Sequence, residues 1–375
     1  MNRNGVLFCV CLVCLSACKD RQSDLMLPDT VIKVSGNFNG TLFTDDMLDS
    51  IQIIPLETSS ESLIGAVHQM YHVGDKYYIQ SLIQKEILIF SASGKYLGNL
   101  SKVGNGPGEY VELRDFKVDD AGNIYVLGYN ELIKYRADGD VVFERKLDFP
   151  DMEKYRIFPI HFVEYGDSVL FLWQGSANLS DNEVDKYYGM YQIENDKVVN
   201  SYFLVSRLIF GYFQRFYRYG NSYNIQSVTG SNAIYKITPD GVFPNFEVDF
   251  GDKNIPPDLL PHKIESNGKL YSQIRKNKNY CGFINSVYET DDCIYFAFVN
   301  GGDEYQVLYD KKKATVKVGK INLSDIHSSA IICATEDGKL IGKIEAYDYI
   351  NDKQNASLDI PEDANPLLIV YHLKK

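Results

Sequence analysis

Asp120-Ala121-Gly122-Asn123-Ile124-Tyr125-Val126 is the stretch on which the fold turns. Its first half is a tight turn, because Asp, Gly and Asn accept the backbone angles that turns demand. Its second half is a strand of branched and aromatic residues, which suit a pleated surface. The pattern occurs once before, at Gly74-Asp75-Lys76-Tyr77-Tyr78-Ile79. It returns at Gly166-Asp167-Ser168-Val169-Leu170-Phe171, Gly220-Asn221-Ser222-Tyr223-Asn224-Ile225, Asp291-Asp292-Cys293-Ile294-Tyr295-Phe296 and Asp337-Gly338-Lys339-Leu340-Ile341. Between Tyr77, Ile124, Val169, Tyr223, Ile294 and Leu340 the steps are 47, 45, 54, 71 and 46 residues. A period in the forties with several strands per unit is the mark of a propeller blade.

A second turn follows the first in four copies, at Ser93-Gly94, Asp138-Gly139, Asp240-Gly241 and Asp310-Lys311. Each comes after a strand, at Ile87–Phe90, Leu132–Tyr135, Ile234–Ile237 and Gln306–Tyr309. Asp-Gly and Ser-Gly between apolar runs signal hairpins. Each unit therefore reads strand, turn, strand, loop, strand, turn, strand. The expected fold is all-β: a six-bladed β-propeller of four-stranded blades over residues 30–375. The last unit runs out of chain one strand short, and Ile51–Leu56 is expected to supply that strand and close the ring. The two long steps mark insertions, near Trp173–Tyr188 and Gly251–Gly282, the second broken by Pro256-Pro257 and Pro261 with room for a short helix.

The chain's first residues carry a different signal. Arg3 supplies a positive start, Val6–Leu15 is apolar and uncharged, and Leu15-Ser16-Ala17-Cys18 follows. A run this short suits a cleaved export leader better than a helix spanning a bilayer core of about 30 Å. The four residues match the bacterial lipobox, in which the cysteine is acylated and becomes the new N-terminus. Residues 1–17 then form a signal peptide, Cys18 carries the lipid and residues 18–29 form a polar tether. The acyl chains would hold the protein on a membrane, and the expectation is an outer membrane lipoprotein on the periplasmic or cell-surface face.

Composition narrows the partners. The net charge of −12 becomes −13 when the leader takes Arg3 with it, and an acidic surface repels phosphate backbones, so nucleic acid is not expected to bind. Apolar residues make up 45% of the chain, enough for a real core, and 28 tyrosines and 20 phenylalanines against one tryptophan favour strands. Four of seven cysteines belong to the leader and its cleavage site. Cys281, Cys293 and Cys333 remain and are expected as buried free thiols.

Gly104-Asn105-Gly106-Pro107-Gly108-Glu109-Tyr110, Leu113-Arg114-Asp115-Phe116-Lys117-Val118-Asp119 and Gly122-Asn123-Ile124-Tyr125-Val126 together resemble the NHL repeat. With its lipobox and its closing Asn365-Pro366-Leu367-Leu368-Ile369-Val370-Tyr371, the chain resembles the six-bladed NHL/TolB-like propeller lipoproteins of gut anaerobic bacteria. The resemblance covers roughly residues 30 to 375 and implies the fold rather than an activity.

The chemistry-bearing motifs are sparse. His68 and His72 stand about 13 Å apart along one strand and cannot share a zinc ion. No His-Glu-x-x-His, nucleophile elbow or EF-hand loop occurs. The glycine-rich loop at Gly104–Gly108 is not a phosphate cradle, since Pro107 lacks an amide proton and a strand follows. Asp119-Asp120 and Asp291-Asp292 read as turn formers.

Propeller geometry nominates a site instead. The opening residues of the innermost strands, near His68, Arg114, His161, Arg215, Asn285 and Ser329, are expected at one mouth of the central channel. Arg114 and Arg215 would pair there with a carboxylate or phosphate. The run Phe210–Tyr219, alternating aromatic and basic, is a second candidate for stacking on sugars or peptide side chains. Two function classes follow. One is a non-catalytic module binding a glycan, peptide or envelope protein, with no cofactor. The other is a propeller enzyme, a lactonase, lyase or glycosidase, using a channel metal or carboxylates.

Overall fold

Each turn-and-strand unit folds as an antiparallel sheet. A computed structural model describes residues 27–28, 30–81, 84–166, 168–174, 188–204, 216–226, 231–259, 267–323, 326–327, 331–335, 337–351 and 358–374. Six four-stranded blades radiate from a common axis. From the centre outward, blade I is Val67–Val73, Lys76–Ser81, Glu86–Ser91 and Tyr96–Leu100. Blade II is Asp115–Val118, Ile124–Leu127, Glu131–Tyr135 and Val141–Lys146, and blade III is Pro159–Tyr165, Val169–Gln174, Tyr188–Glu194 and Lys197–Leu204. Blade IV comprises Tyr217–Tyr219, Ser222–Gln226, Ala233–Thr238 and Gly241–Asp249, and blade V Cys281–Glu289, Cys293–Asn300, Asp303–Asp310 and Thr315–Gly319. In blade VI, Ile331–Ala334, Leu340–Ile344 and Leu367–Leu373 are followed at the outer edge by Leu48–Pro55, antiparallel to Leu367–Leu373 with Ile53 opposite Ile369.

The burial of each strand follows from its place in the blade. Both faces of an inner strand pack against neighbouring blades, so Cys293–Asn300 is buried at every position and shows no alternation. The outer strand Val141–Lys146 faces water and has no buried residue. Among the described residues the core is divided into six apolar wedges, one at each blade interface. The wedge between blades VI and I joins Ile341, Leu368 and Val370 to Met70, Tyr77 and Phe90. Asn365 clasps the same seam. It is 2% exposed, accepts the Ile64 amide at 2.7 Å and donates to the carbonyls of Glu57 and Ser62, both at 2.8 Å.

The segment before the blade VI strand forms a strap around the outside of three blades. Val31–Lys33 adds to blade IV as a fifth strand, parallel to Gly241–Asp249. Phe38 then meets Phe298 of blade V edge to face at 5.1 Å between centroids. Thr41 bridges in parallel to Lys320, and Leu42 and Phe43 sink into the wedge between blades V and VI. The strap crosses blade V so closely that a Cβ on Gly319 would collide with the carbonyl of Gly40. Gly94, at φ +82°, fills a similar role where its turn meets the carbonyl of Pro55.

The glycine-rich loop is spent on structure. Gly108 donates to Glu144 at 2.8 Å, and Tyr135 donates to the Gly108 carbonyl at 3.0 Å. Between blades IV and V, the helix Asn267–Lys276 lies in the long insertion, and Ile274 packs with Ile255, Phe283 and Val299. Cys281, Cys293 and Cys333 are buried free thiols. The expected leader, Cys18 and most of the expected 173–188 insertion lie outside the described residues. Among the described residues no helix is long and apolar enough to cross a membrane.

Candidate functional site

The innermost strands run in one sense around the ring, so their first residues lie at one end of the channel and their first turns at the other. Four of the residues nominated from the sequence, His68, Arg114, His161 and Asn285, sit on the first end. Arg114 lies between two aromatic rings, 4.6 Å from the centroid of Tyr129 and 4.1 Å from that of Phe158. It also donates to Glu112 at 2.9 Å and to the carbonyls of Tyr129 and Pro159, both at 3.1 Å. Asn285 contacts Glu304 at 3.3 Å and accepts from Ser286 at 2.9 Å. His68 is half-buried near the start of Val67–Val73, and His161 is buried beside Asp115, with Nδ1 3.5 Å from the carboxylate. Arg215 and Ser329 lie outside the described residues.

The large cavity is at the other end, and none of those four residues lines it. It encloses about 460 Å³ and is walled by the ends of four innermost strands and the turns that follow them. Blade I supplies Gln69, Tyr71 and His72, blade IV Tyr217, Arg218 and Tyr219, blade V Tyr288 and Asp291, and blade VI Cys333 and Thr335. The second candidate run of the sequence ends on this wall, at Tyr217-Arg218-Tyr219. Its first residues, Phe210–Arg215, lie outside the described residues. A smaller cavity of about 140 Å³ adjoins it, and Asp120, Arg218, Gly220 and Asn221 line both.

Charges near the cavity are arranged in three depths. Deepest is Asp115, wholly buried. It holds Lys117 at 2.7 Å and accepts the amides of Phe116 and Phe162 at 2.9 and 3.1 Å. Burial would raise its pKa, but the Lys117 ammonium and His161 outweigh that, and the carboxyl is held at about 2. Lys117 in turn faces the rings of Phe162, Tyr71 and Phe216, at 5.2, 5.8 and 6.0 Å. Next is Glu289, 6% exposed, bonded by Lys311 at 2.7 Å and Asn224 at 2.8 Å with Lys236 at 3.4 Å. Burial opposes ionisation there too, and the same partners overcome it, so the carboxyl titrates below its ordinary range. Outermost, Arg218 of blade IV reaches Asp120 of blade II across the mouth.

The tyrosine, histidine and cysteine groups of the wall are neutral. Burial, the bond to Asp291 at 2.9 Å and that carboxylate's charge push the Tyr219 phenol up to about 12. Burial keeps the His72 imidazole below its ordinary pKa and the Cys333 thiol up at about 12, so that thiol is no nucleophile. Gln69 donates to Tyr71 at 2.7 Å, while its Oε1 is buried without a hydrogen-bond partner among the described residues. Among the described residues no three His, Cys, Asp or Glu side chains converge as metal ligands.

Comparison with known proteins places the fold. The model of a domain of unknown function, DUF4934, matches residues 29–372. The crystal structure of a protein of Bacteroides fragilis assigned as exported aligns with a TM-score of 0.72 at 18% identity, covering 92% of this chain and 100% of its own. A DUF4221 family member from Bacteroides vulgatus aligns at 0.53 and 11% identity, covering 88% and 99%. No curated protein matches.

Proposed function

The chain belongs to the DUF4934 family, and we propose that it is an exported cell-envelope propeller that binds a glycan fragment at the turn-side mouth of its channel. The single observation carrying this reading is the tyrosine wall. Four blades converge on a cavity of ligand size, and Tyr71, Tyr217, Tyr219 and Tyr288 bring apolar ring faces together with hydroxyl groups. A sugar offers the matching surface, with C–H faces to lay on rings and hydroxyls to satisfy polar atoms. Gln69 Oε1 is a buried acceptor that a hydroxyl donor would complete. Export fits the aligned Bacteroides fragilis protein, and acylation at Cys18 would hold the propeller at the outer membrane.

Binding is favoured over catalysis by the state of the nearby carboxylates. Glu289 is tied to Lys311, Asp291 to the Tyr219 hydroxyl and Asp120 to Arg218. An inverting or retaining glycosidase needs two carboxyl groups facing the scissile bond.

Thermal unfolding of the protein against a panel of oligosaccharides tests the reading. A ligand at about 100 times its Kd adds about 2.7 kcal/mol and a clear rise in Tm. Tyr219→Ala should weaken the responding sugar about tenfold, roughly 1.4 kcal/mol, while Tyr219→Phe retains most of the affinity. Equal binding by wild type and Tyr219→Ala would remove the tyrosine wall as the site. Turnover of the sugar would move the assignment to an enzyme.

A further inference from the structure

An ion pair stands where the two cavities meet, and its two halves are built unequally. The Arg218 side chain is 20% exposed and Asp120 is 77% exposed. Arg218 is held in place by two backbone carbonyls, donating at 3.2 Å to Val118 of blade II and at 3.2 Å to Gly220 of its own turn. Asp120 sits on an open turn. The guanidinium is therefore pre-positioned at the mouth, whereas its carboxylate partner can rotate into water at little cost. Exposed ion pairs contribute about 0–1 kcal/mol.

Two of the cations beside the tyrosine wall are committed more deeply. Lys236 and Lys311 flank the Tyr219 ring, at 4.9 and 4.6 Å, and serve the buried Glu289. Lys117 serves the buried Asp115. Removing either set would strand a buried charge, which removing Asp120 from Arg218 would not. A guanidinium accepts a carboxylate in a two-pronged, charge-assisted bond, and at this spot the tyrosine wall lies beside it.

We propose that the ligand of this mouth is an acidic sugar, of the uronic acid class, whose carboxylate takes the place of Asp120 on Arg218. This rests on the glycan reading above and narrows it. Asp120 and Arg218 line both cavities, so the exchanged carboxylate would sit where the smaller space meets the larger.

The test is calorimetric titration of the protein with a digalacturonate and with the matched neutral disaccharide. The acid should bind more tightly to wild type. Arg218→Gln should weaken the acid by about tenfold or more, the range of a charge-assisted hydrogen bond, and change the neutral sugar by less than about threefold. Asp120→Asn, which removes the competitor, should tighten the acid about threefold or more. Equal affinity for acid and neutral sugar, or an acid affinity indifferent to both substitutions, overturns this inference and leaves the glycan reading standing. Absence of binding by either sugar to the folded protein overturns both. If Arg218→Gln does not fold, Asp120→Asn decides alone, and no gain for the acid counts against the proposal.

Discussion

Asp115–Lys117 and Asp120–Arg218 are ion pairs of the same chemistry in the same channel, and they differ mainly in their access to water. The inner carboxylate is fully buried and binds an ammonium, two amides and a histidine drawn from blades II and III. The outer carboxylate is largely exposed and meets one guanidinium. Where water is absent, losing one partner leaves an uncompensated charge, so the group is fixed as part of the fold. Where water is present, the partner is replaceable, and replacement is what ligand recognition needs. Glu289 stands between these limits, buried itself but bonded by half-exposed lysines.

The comparison can be broken by five measurements, the first expected to be the largest. Asp115→Asn should cost about 3–5 kcal/mol in a denaturant titration, because Lys117 stays buried without its counter-ion. Lys117→Met should cost less, since His161 and two amides still bond the carboxylate; the opposite order would mean that the ammonium rather than the carboxylate organises the cluster. The same residue sets an acid limit. Its folded pKa of about 2 lies below the ordinary 3.8, so its contribution is complete above about pH 4 and is lost as pH falls through 2. The stability gap between wild type and Asp115→Asn should narrow by about 2 kcal/mol over that interval, and a constant gap would detach the effect from ionisation.

Glu289→Gln comes next, at about 1–3 kcal/mol for an altered buried hydrogen-bond group. A cost as large as that of Asp115→Asn would show that the half-exposed lysines are screened no better than Lys117. Last, Asp120→Asn should alter stability by no more than about 0.5 kcal/mol. A loss above 1 kcal/mol would make the mouth pair structural and close it to exchange.

The blades were legible because each turn-and-strand unit advertises itself locally. The second hairpin of blade III shows the limit. In blade III the turn is Asn195-Asp196, both at positive φ, +50° and +60°, and nothing but Asn and Asp marks it. The strap was not legible, since Val31–Lys33 pairs over three residues and carries no period. The site was half legible. Asp120 and Asp291 stand in the quoted turns and read there as turn formers, while Tyr217-Arg218-Tyr219 closes the second candidate run. Which mouth of a ring stays open depends on how side chains from six blades meet, as when Tyr129 and Phe158 close over Arg114. That meeting is non-local, so no single repeat encodes it.

The strap also determines how the molecule answers a pull on its N-terminus, whatever that end is fastened to. Tension arrives first at the three-residue clip on blade IV, next at the Gly40–Lys320 crossing on blade V, and only then at the eight-residue Leu48–Pro55 strand of blade VI. Such links in series yield one at a time, from the N-terminal end inward. Each slips before the next is loaded, so the outer clips act as fuses for the ring, and the cavity between blades keeps its shape until they are spent.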